Sequence, residues 1–260
     1  MFYFAYAGNK RSEIKEYQNL LNSIKYKTVV EPFGGSCAFS ISEYNKNKNI
    51  NICISDIDTE LILFCNEFYK YDDKIIKNVL DIIKNISSKS DYDIFYKKSI
   101  SKILAENIED FLTYYLFKKV CYRIRPGLYY MNDIPKLKNV IKYKDELNIF
   151  FKNNKYIESN YKLIFDKYKD DEEALIFLDP PYINSDCSFY DKFDSNFFNN
   201  LWEDIYNLLE NGKCKIILVV NDNFFMKKCY NKWFYNCYYK RYSHHTAKQT
   251  THNIFTNIKL

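Results

Sequence analysis

The stretch Ile176-Phe177-Leu178-Asp179-Pro180-Pro181-Tyr182 constrains the fold more than any other part of this 260-residue chain. The apolar run from Ala174 to Leu178 predicts a short buried strand, and it runs into an acid followed by two prolines. A proline has no N–H to give a strand ladder, and it forces the residue before it into an extended shape. The strand must therefore end at Asp179 and leave a stiff loop at the carboxyl edge of a sheet. Open α/β sheets bind their ligands at that edge. The loop carries the Asp179 carboxylate, the Pro180 carbonyl and the flat ring of Tyr182. A planar substrate bearing an amine could stack on the ring and donate its two N–H groups to those two oxygens. A strand that merely ends in a turn would look the same locally, so the remaining motifs have to decide.

Punctuation locates those motifs. The chain has five glycines, at positions 8, 34, 35, 127 and 212. That is about 2% of residues against a usual ~7%, so each one marks a place where a side chain would interfere. The β-branched run Thr28-Val29-Val30-Glu31 predicts a strand, and Pro32-Phe33-Gly34-Gly35-Ser36 a tight turn into a helix over roughly 37–46. A second strand follows over 50–55 and ends at Asp56. Strand, glycine turn, helix and an acid about 20 residues later form the opening of a nucleotide-binding unit, in which the acid grips ribose hydroxyls. Asp56 could instead cap the helix that starts near Asp58. Ahead of this unit, Tyr6-Ala7-Gly8-Asn9-Lys10 precedes a helix expected over roughly 12–24, capped at Ser12.

Residues 59–119 show helical apolar periodicity and read as core stripes. The character changes at Lys118–Asn132, where Arg123 and Arg125 alternate with Tyr122, Tyr129 and Tyr130 around Pro126-Gly127. Basic side chains interleaved with aromatics suit phosphate and base contacts. A helix over about 145–153 and a short strand near 155–160 lead to a helix ending at Tyr168 and then to the strand before Asp179. Ser195 opens another helix that closes at Gly212. Three strands are expected to finish the chain, over 215–220, 234–242 and 252–258.

Composition narrows the function classes. A net charge of +5 and a pI near 8.5 are compatible with a polyanionic partner without demanding one. The eight cysteines show no Cys-x-x-Cys spacing, so neither a zinc site nor a disulfide framework is expected; they read as reduced, mostly buried thiols. His244, His245 and His252 lack a metal-ligand context, and no metal is expected. No signal peptide and no apolar run of membrane-spanning length appear, so a cytoplasmic protein without a membrane partner is expected.

In this order the motifs resemble the DNA adenine methyltransferase (Dam-like) family. The resemblance rests on Tyr6–Lys10, Val30–Ser36, Ser55-Asp56-Ile57-Asp58 and Leu178–Tyr182, and it runs nearly end to end. It implies an α/β fold: a Rossmann-like S-adenosylmethionine-dependent methyltransferase sheet with a mostly helical target-recognition insertion. Residues 1–70 and 155–260 would form the catalytic domain and 71–154 the DNA-binding insertion. Carried over by position, Tyr6, Lys10, Phe33, Gly34, Gly35, Ser36, Asp56 and Asp179 would hold S-adenosylmethionine. Asp179, Pro180, Pro181 and Tyr182 would form the catalytic loop, and Arg123, Arg125, Tyr129 and Asn132 would face duplex DNA. Two positions depart from the pattern: Cys37 stands where the turn usually has a second glycine, and Asn160 roughly where an acid often follows the third strand. Cys37 is expected to crowd the turn without abolishing it.

The implied reaction is direct methyl transfer to the N6 amine of an adenine extruded from the duplex, by a monomer or weak dimer. Cytosine N4 in DNA, or adenine in RNA, would need the same loop chemistry. A catalytically silent nucleic-acid-binding subunit would have no need of an intact catalytic loop. A dehydrogenase would need a fuller glycine fingerprint and would leave Asp179–Tyr182 without a purpose.

Overall fold

The structure is a computed structural model and describes residues 10–86, 88–96, 107–120, 135–181, 195–241 and 249–259. Along the chain, a 3-10 helix (Arg11–Tyr17) leads into α1 (Gln18–Asn22), β1 (Thr28–Glu31), α2 (Ala38–Lys46) and β2 (Asn51–Asp56). Next come α3 (Thr59–Glu67), a 3-10 turn (Phe68–Lys70), α4 (Asp72–Asn85), α5 (Lys89–Tyr96), α6 (Ile108–Val120) and α7 (Pro135–Asn153). The remainder is β3 (Tyr156–Glu158), α8 (Tyr161–Tyr168), β4 (Ala174–Leu178), α9 (Ser195–Asn211), β5 (Lys215–Asn221) and α10 (Phe224–Cys229). A last 3-10 turn (Asn231–Trp233) precedes β6 (Phe234–Arg241) and β7 (Gln249–Thr256).

Two compact units share these elements: Ser12–Asp56 with Ser159–Leu260, and Met1–Arg11 with Ile57–Glu158. Among the described residues, six of seven strands belong to the former and hydrogen-bond in the order β2-β1-β4-β5-β7-β6. The first four run parallel, and β7 and β6 close the sheet antiparallel. This is an α/β fold of the Rossmann-like methyltransferase type. Between Phe234 and Asn236 the β6–β7 ladder shifts register, a bulge near the start of the edge strand.

Register divides the side chains between two faces, because direct partners and alternate residues point the same way. One face carries Val30, Ile176, Leu178, Ile216, Leu218, Val220 and Phe255, all buried against Ile164 and Phe165 of α8, Leu201, Ile205, Leu208 and Leu209 of α9, and Trp233. Each such buried aliphatic or aromatic side chain contributes roughly 1.5–3 kcal/mol of transfer free energy. On the opposite face Phe177 stacks on Phe39 of α2 at 4.2 Å and meets Tyr17 at 5.4 Å. Beyond Phe177 that same face turns polar toward the carboxyl edge. Alternation brings Glu31, Asp56 and Asp179 onto it, and the pairs Asn221–His252 and His252–Tyr238 continue it into the antiparallel end.

The other unit is a helical cluster. The apolar stripe of α4, Ile75, Ile76, Val79 and Ile83, is buried, as are Leu112 and Leu116 of α6. Phe64 of α3 stacks on Tyr115 and Phe68 at 4.8 and 5.0 Å. Asp72 at the start of α4 accepts from Asn148 at 2.7 Å and faces Lys144 at 3.6 Å, which ties α4 to α7.

Three expectations need correction. The helix expected over 12–24 is a seven-residue 3-10 helix followed by a five-residue α-helix, and its first turn starts at Arg11, one residue before the expected cap at Ser12. The helix expected at about 145 begins ten residues earlier, at Pro135, because a proline costs nothing at a first helical position, where no N–H bond is due. Cysteines are less uniformly buried than expected: Cys37, Cys65 and Cys214 are buried, Cys53 is half-buried, and Cys229 and Cys237 are exposed. Cys237 is exposed because it alternates with the inward-facing Tyr238 on β6.

Candidate active site

The turn after β1 is held by the end of β2. Gly34 N–H donates to the Ser55 carbonyl at 2.9 Å, and Gly35 N–H donates to Asp56 Oδ2 at 3.0 Å. Cys37 N–H closes the turn onto the Gly34 carbonyl at 2.6 Å. Both Gly35 (φ 46°) and Cys37 (φ 54°) are left-handed. Glycine adopts that region freely, whereas a residue with a Cβ pays roughly 1–2 kcal/mol. The crowding expected at Cys37 therefore takes the form of a strained backbone at the amino cap of α2. Helix capping does not occupy Asp56, because Asp58 caps α3 by accepting from Leu61 N–H at 3.0 Å.

Behind this turn lies Glu31, the last residue of β1 and fully buried. One of its oxygens accepts from both the amide (3.1 Å) and the hydroxyl (2.5 Å) of Ser40 on α2. Burial pushes its carboxyl up to about 8; the Ser40 hydrogen bonds oppose that, and the charges of Asp179 and Asp56 add to it. The three carboxylates at the ends of β1, β2 and β4 thus feel one another across one face of the sheet. Among the described residues no cation contacts Glu31. A site of this kind favours a positively charged ligand.

Asp179 leaves β4 half-exposed, Pro180 is buried and Pro181 half-exposed. Neither proline can close the loop with an N–H of its own. The carboxylate and the Pro180 carbonyl are acceptors suited to a substrate amine. Of the other expected cofactor residues, Phe33 lies 5.7 Å from Tyr161, ring to ring, and Ser36 is half-exposed. Lys10 is buried and belongs to the compact unit of Ile57–Glu158. Asn160 caps α8 by accepting from Lys162 N–H at 3.0 Å. Tyr6, Tyr182, Arg123, Arg125, Tyr129 and Asn132 lie outside the described residues, as do His244 and His245.

Sequence reasoning missed a polar cluster on the same face. Glu13, on the 3-10 helix, accepts from Tyr238, from Lys240 and, at 2.9 Å, from His252. Tyr238 and His252 are 3.1 Å apart. Glu13, Tyr238 and His252 are all buried, so His252 is a satisfied core histidine. Four residues on from Glu13, Tyr17 is buried as well. No local pattern could have revealed this cluster, since Glu13 and His252 stand 239 positions apart.

A model of the D12 class N6 adenine-specific DNA methyltransferase family matches residues 6–253 of the 260. The chain belongs to this family. It is an adenine-specific DNA methyltransferase, and DNA is its substrate. A comparison with curated proteins found no match. In this D12 methyltransferase no described helix is long and apolar enough to cross a membrane. Among its described residues no group of three or more His, Cys, Asp or Glu is arranged to hold a metal ion.

Proposed function

We propose that the protein transfers the methyl group of S-adenosylmethionine to the N6 amine of an adenine turned out of duplex DNA, with Asp179 and Pro180 as the groups that hold the amine. The observation that carries this reading is the row Asp56, Glu31, Asp179 on one face at the ends of three adjacent parallel strands, with the Gly34-Gly35 turn bonded to Asp56. The residues fit the cofactor: Asp56 suits a ribose diol, the glycine turn admits a close approach, and the carboxylates favour a cation. When bound, S-adenosylmethionine supplies an electrophilic methyl group on a positively charged sulfur.

The chain's own residues do the positioning. An adenine amine is a poor nucleophile because its lone pair is delocalised into the ring. Donation of its two N–H groups to the Asp179 carboxylate and the Pro180 carbonyl fixes the nitrogen and draws the lone pair out of that conjugation. Positioning and preorganised electrostatics then supply most of the rate. A base inside the helix cannot reach this loop, so it must be flipped out, with Tyr182 as its stacking surface. Tyr6, Lys10, Phe33 and Ser36 complete the proposed cofactor contacts. Residues 71–154 are the proposed recognition region, with Arg123, Arg125, Tyr129 and Asn132 facing DNA.

The test is to incubate purified protein with methyl-labelled S-adenosylmethionine and unmethylated genomic DNA, digest the DNA and identify the labelled nucleoside. N6-methyladenine is the expected product. Label in N4-methylcytosine, label only in added RNA, or none at all would each overturn the reading.

A further inference from the structure

The side chain least explained by packing is Tyr17. Its ring is fully buried between Phe39 and Phe177, at 6.0 and 5.4 Å, and a phenylalanine would fill that space equally well. Its hydroxyl is buried and has no hydrogen-bond partner among the described residues. Such an orphan costs stability, and each one calls for an explanation. The ring meets Phe177, two residues before Asp179 on the same face of the sheet, and burial, then the carboxylates of Glu13, Asp179, Glu31 and Glu43, raise the pKa of the phenol. Phe39 and Phe177 hold the ring, and Glu13, four residues earlier on the same helix, is clamped by Tyr238, Lys240 and His252.

We infer that the Tyr17 hydroxyl is a binding group of the methyl-transfer site, accepting a hydrogen bond from the ammonium end of the methyl donor. Asp179 beside the proton-holding Glu31 repels an anionic group and attracts a protonated amine, and a neutral phenol oxygen offers a lone pair to an N–H donor. The inference rests on the reading of the site as an S-adenosylmethionine site.

Tyr17→Phe tests it, because the change keeps the ring and removes only the orphan. Calorimetric titration would use three probes. S-adenosylhomocysteine carries the amino-acid end, its decarboxylated analogue keeps the amine alone, and 5′-methylthioadenosine lacks both. In Tyr17→Phe, affinity for the first two should fall at least about tenfold, as for a lost bond to a charged group, with methylthioadenosine unchanged. The melting temperature should stay equal or rise, which separates a binding role from a structural one. Unchanged affinity for all three probes would overturn the inference, as would equal loss for all three. Loss for S-adenosylhomocysteine alone would also overturn it, by assigning the hydroxyl to the carboxylate. Failure of the unaltered protein to bind S-adenosylhomocysteine would instead overturn the underlying site assignment.

Discussion

Two buried glutamates on one face of the sheet are treated in opposite ways. Glu13, at the antiparallel end, is met by Lys240, His252 and Tyr238, so its charge is matched where it lies. Glu31, at the parallel end, receives among the described residues only the neutral donors of Ser40, and burial beside Asp179 and Asp56 makes it hold its proton up to about pH 8. The first arrangement is a clamp, complete within the protein. The second is completed by a proton, which a cationic ligand would displace. The contrast separates what holds this enzyme together from what it holds.

The sharpest way to break the contrast is at Asp179. Asp179→Ala should lower methyl transfer by ~10³-fold or more while leaving the fold intact, since the residue is half-exposed at the end of β4 and is proposed to hold the substrate amine. Labelled-methyl incorporation and circular dichroism check both halves; full activity in this variant would dismiss the assigned mechanism. At the clamp the expectation is reversed. Glu13→Gln leaves Lys240 without its counter-charge and weakens the acceptor that His252 and Tyr238 share, and should cost about 3 kcal/mol of stability, measured by urea unfolding. Adding Lys240→Met should recover much of that loss.

Glu31 distinguishes itself by pH. Its folded-state value, about 8, lies above the ordinary 4.5, so the native state binds the proton more tightly than the unfolded chain. The stability it contributes is present in full below about pH 4.5, declines as pH rises and is gone above about 8. Urea midpoints at pH 5, 6.5 and 8 should fall more steeply in the unaltered protein than in Glu31→Gln, by a few kcal/mol over that range. The smallest effect is expected in the turn. Cys37→Val places a β-branched residue at φ 54° and should cost about 2 kcal/mol, whereas Cys37→Gly should change stability by less than ~1 kcal/mol, strain relief offsetting the lost thiol.

The parallel half was legible in the sequence because its signals are local. An apolar run halted by Asp179-Pro180-Pro181 defines β4 to the residue, and Thr28–Glu31 before Pro32 and two glycines defines β1. The acid and the turn it serves are bonded together as Gly35 and Asp56, 21 positions apart. The clamp was not legible, because its members come from opposite ends of the chain and nothing near Glu13 announces a partner. Nor was the start of α7, where Lys136, Lys138, Lys142 and Lys144 dilute the apolar stripe that periodicity needs. Glu31 could have been noticed: an acid closing a β-branched strand before a glycine turn has nowhere to point but into the site.

The Lys240–Glu13 pair has a consequence for how the chain reaches this fold. β6 is an edge strand of the sheet, and its start is already irregular where the ladder slips between Phe234 and Asn236. A further slip of one residue would turn Tyr238 and Lys240 to the opposite side. Glu13 would then be interred with neither of them, a defect worth several kcal/mol. A misaligned hairpin therefore cannot dock under the amino-terminal helix. The clamp acts as a proofreader, admitting only the pairing that sets His252 opposite Tyr238.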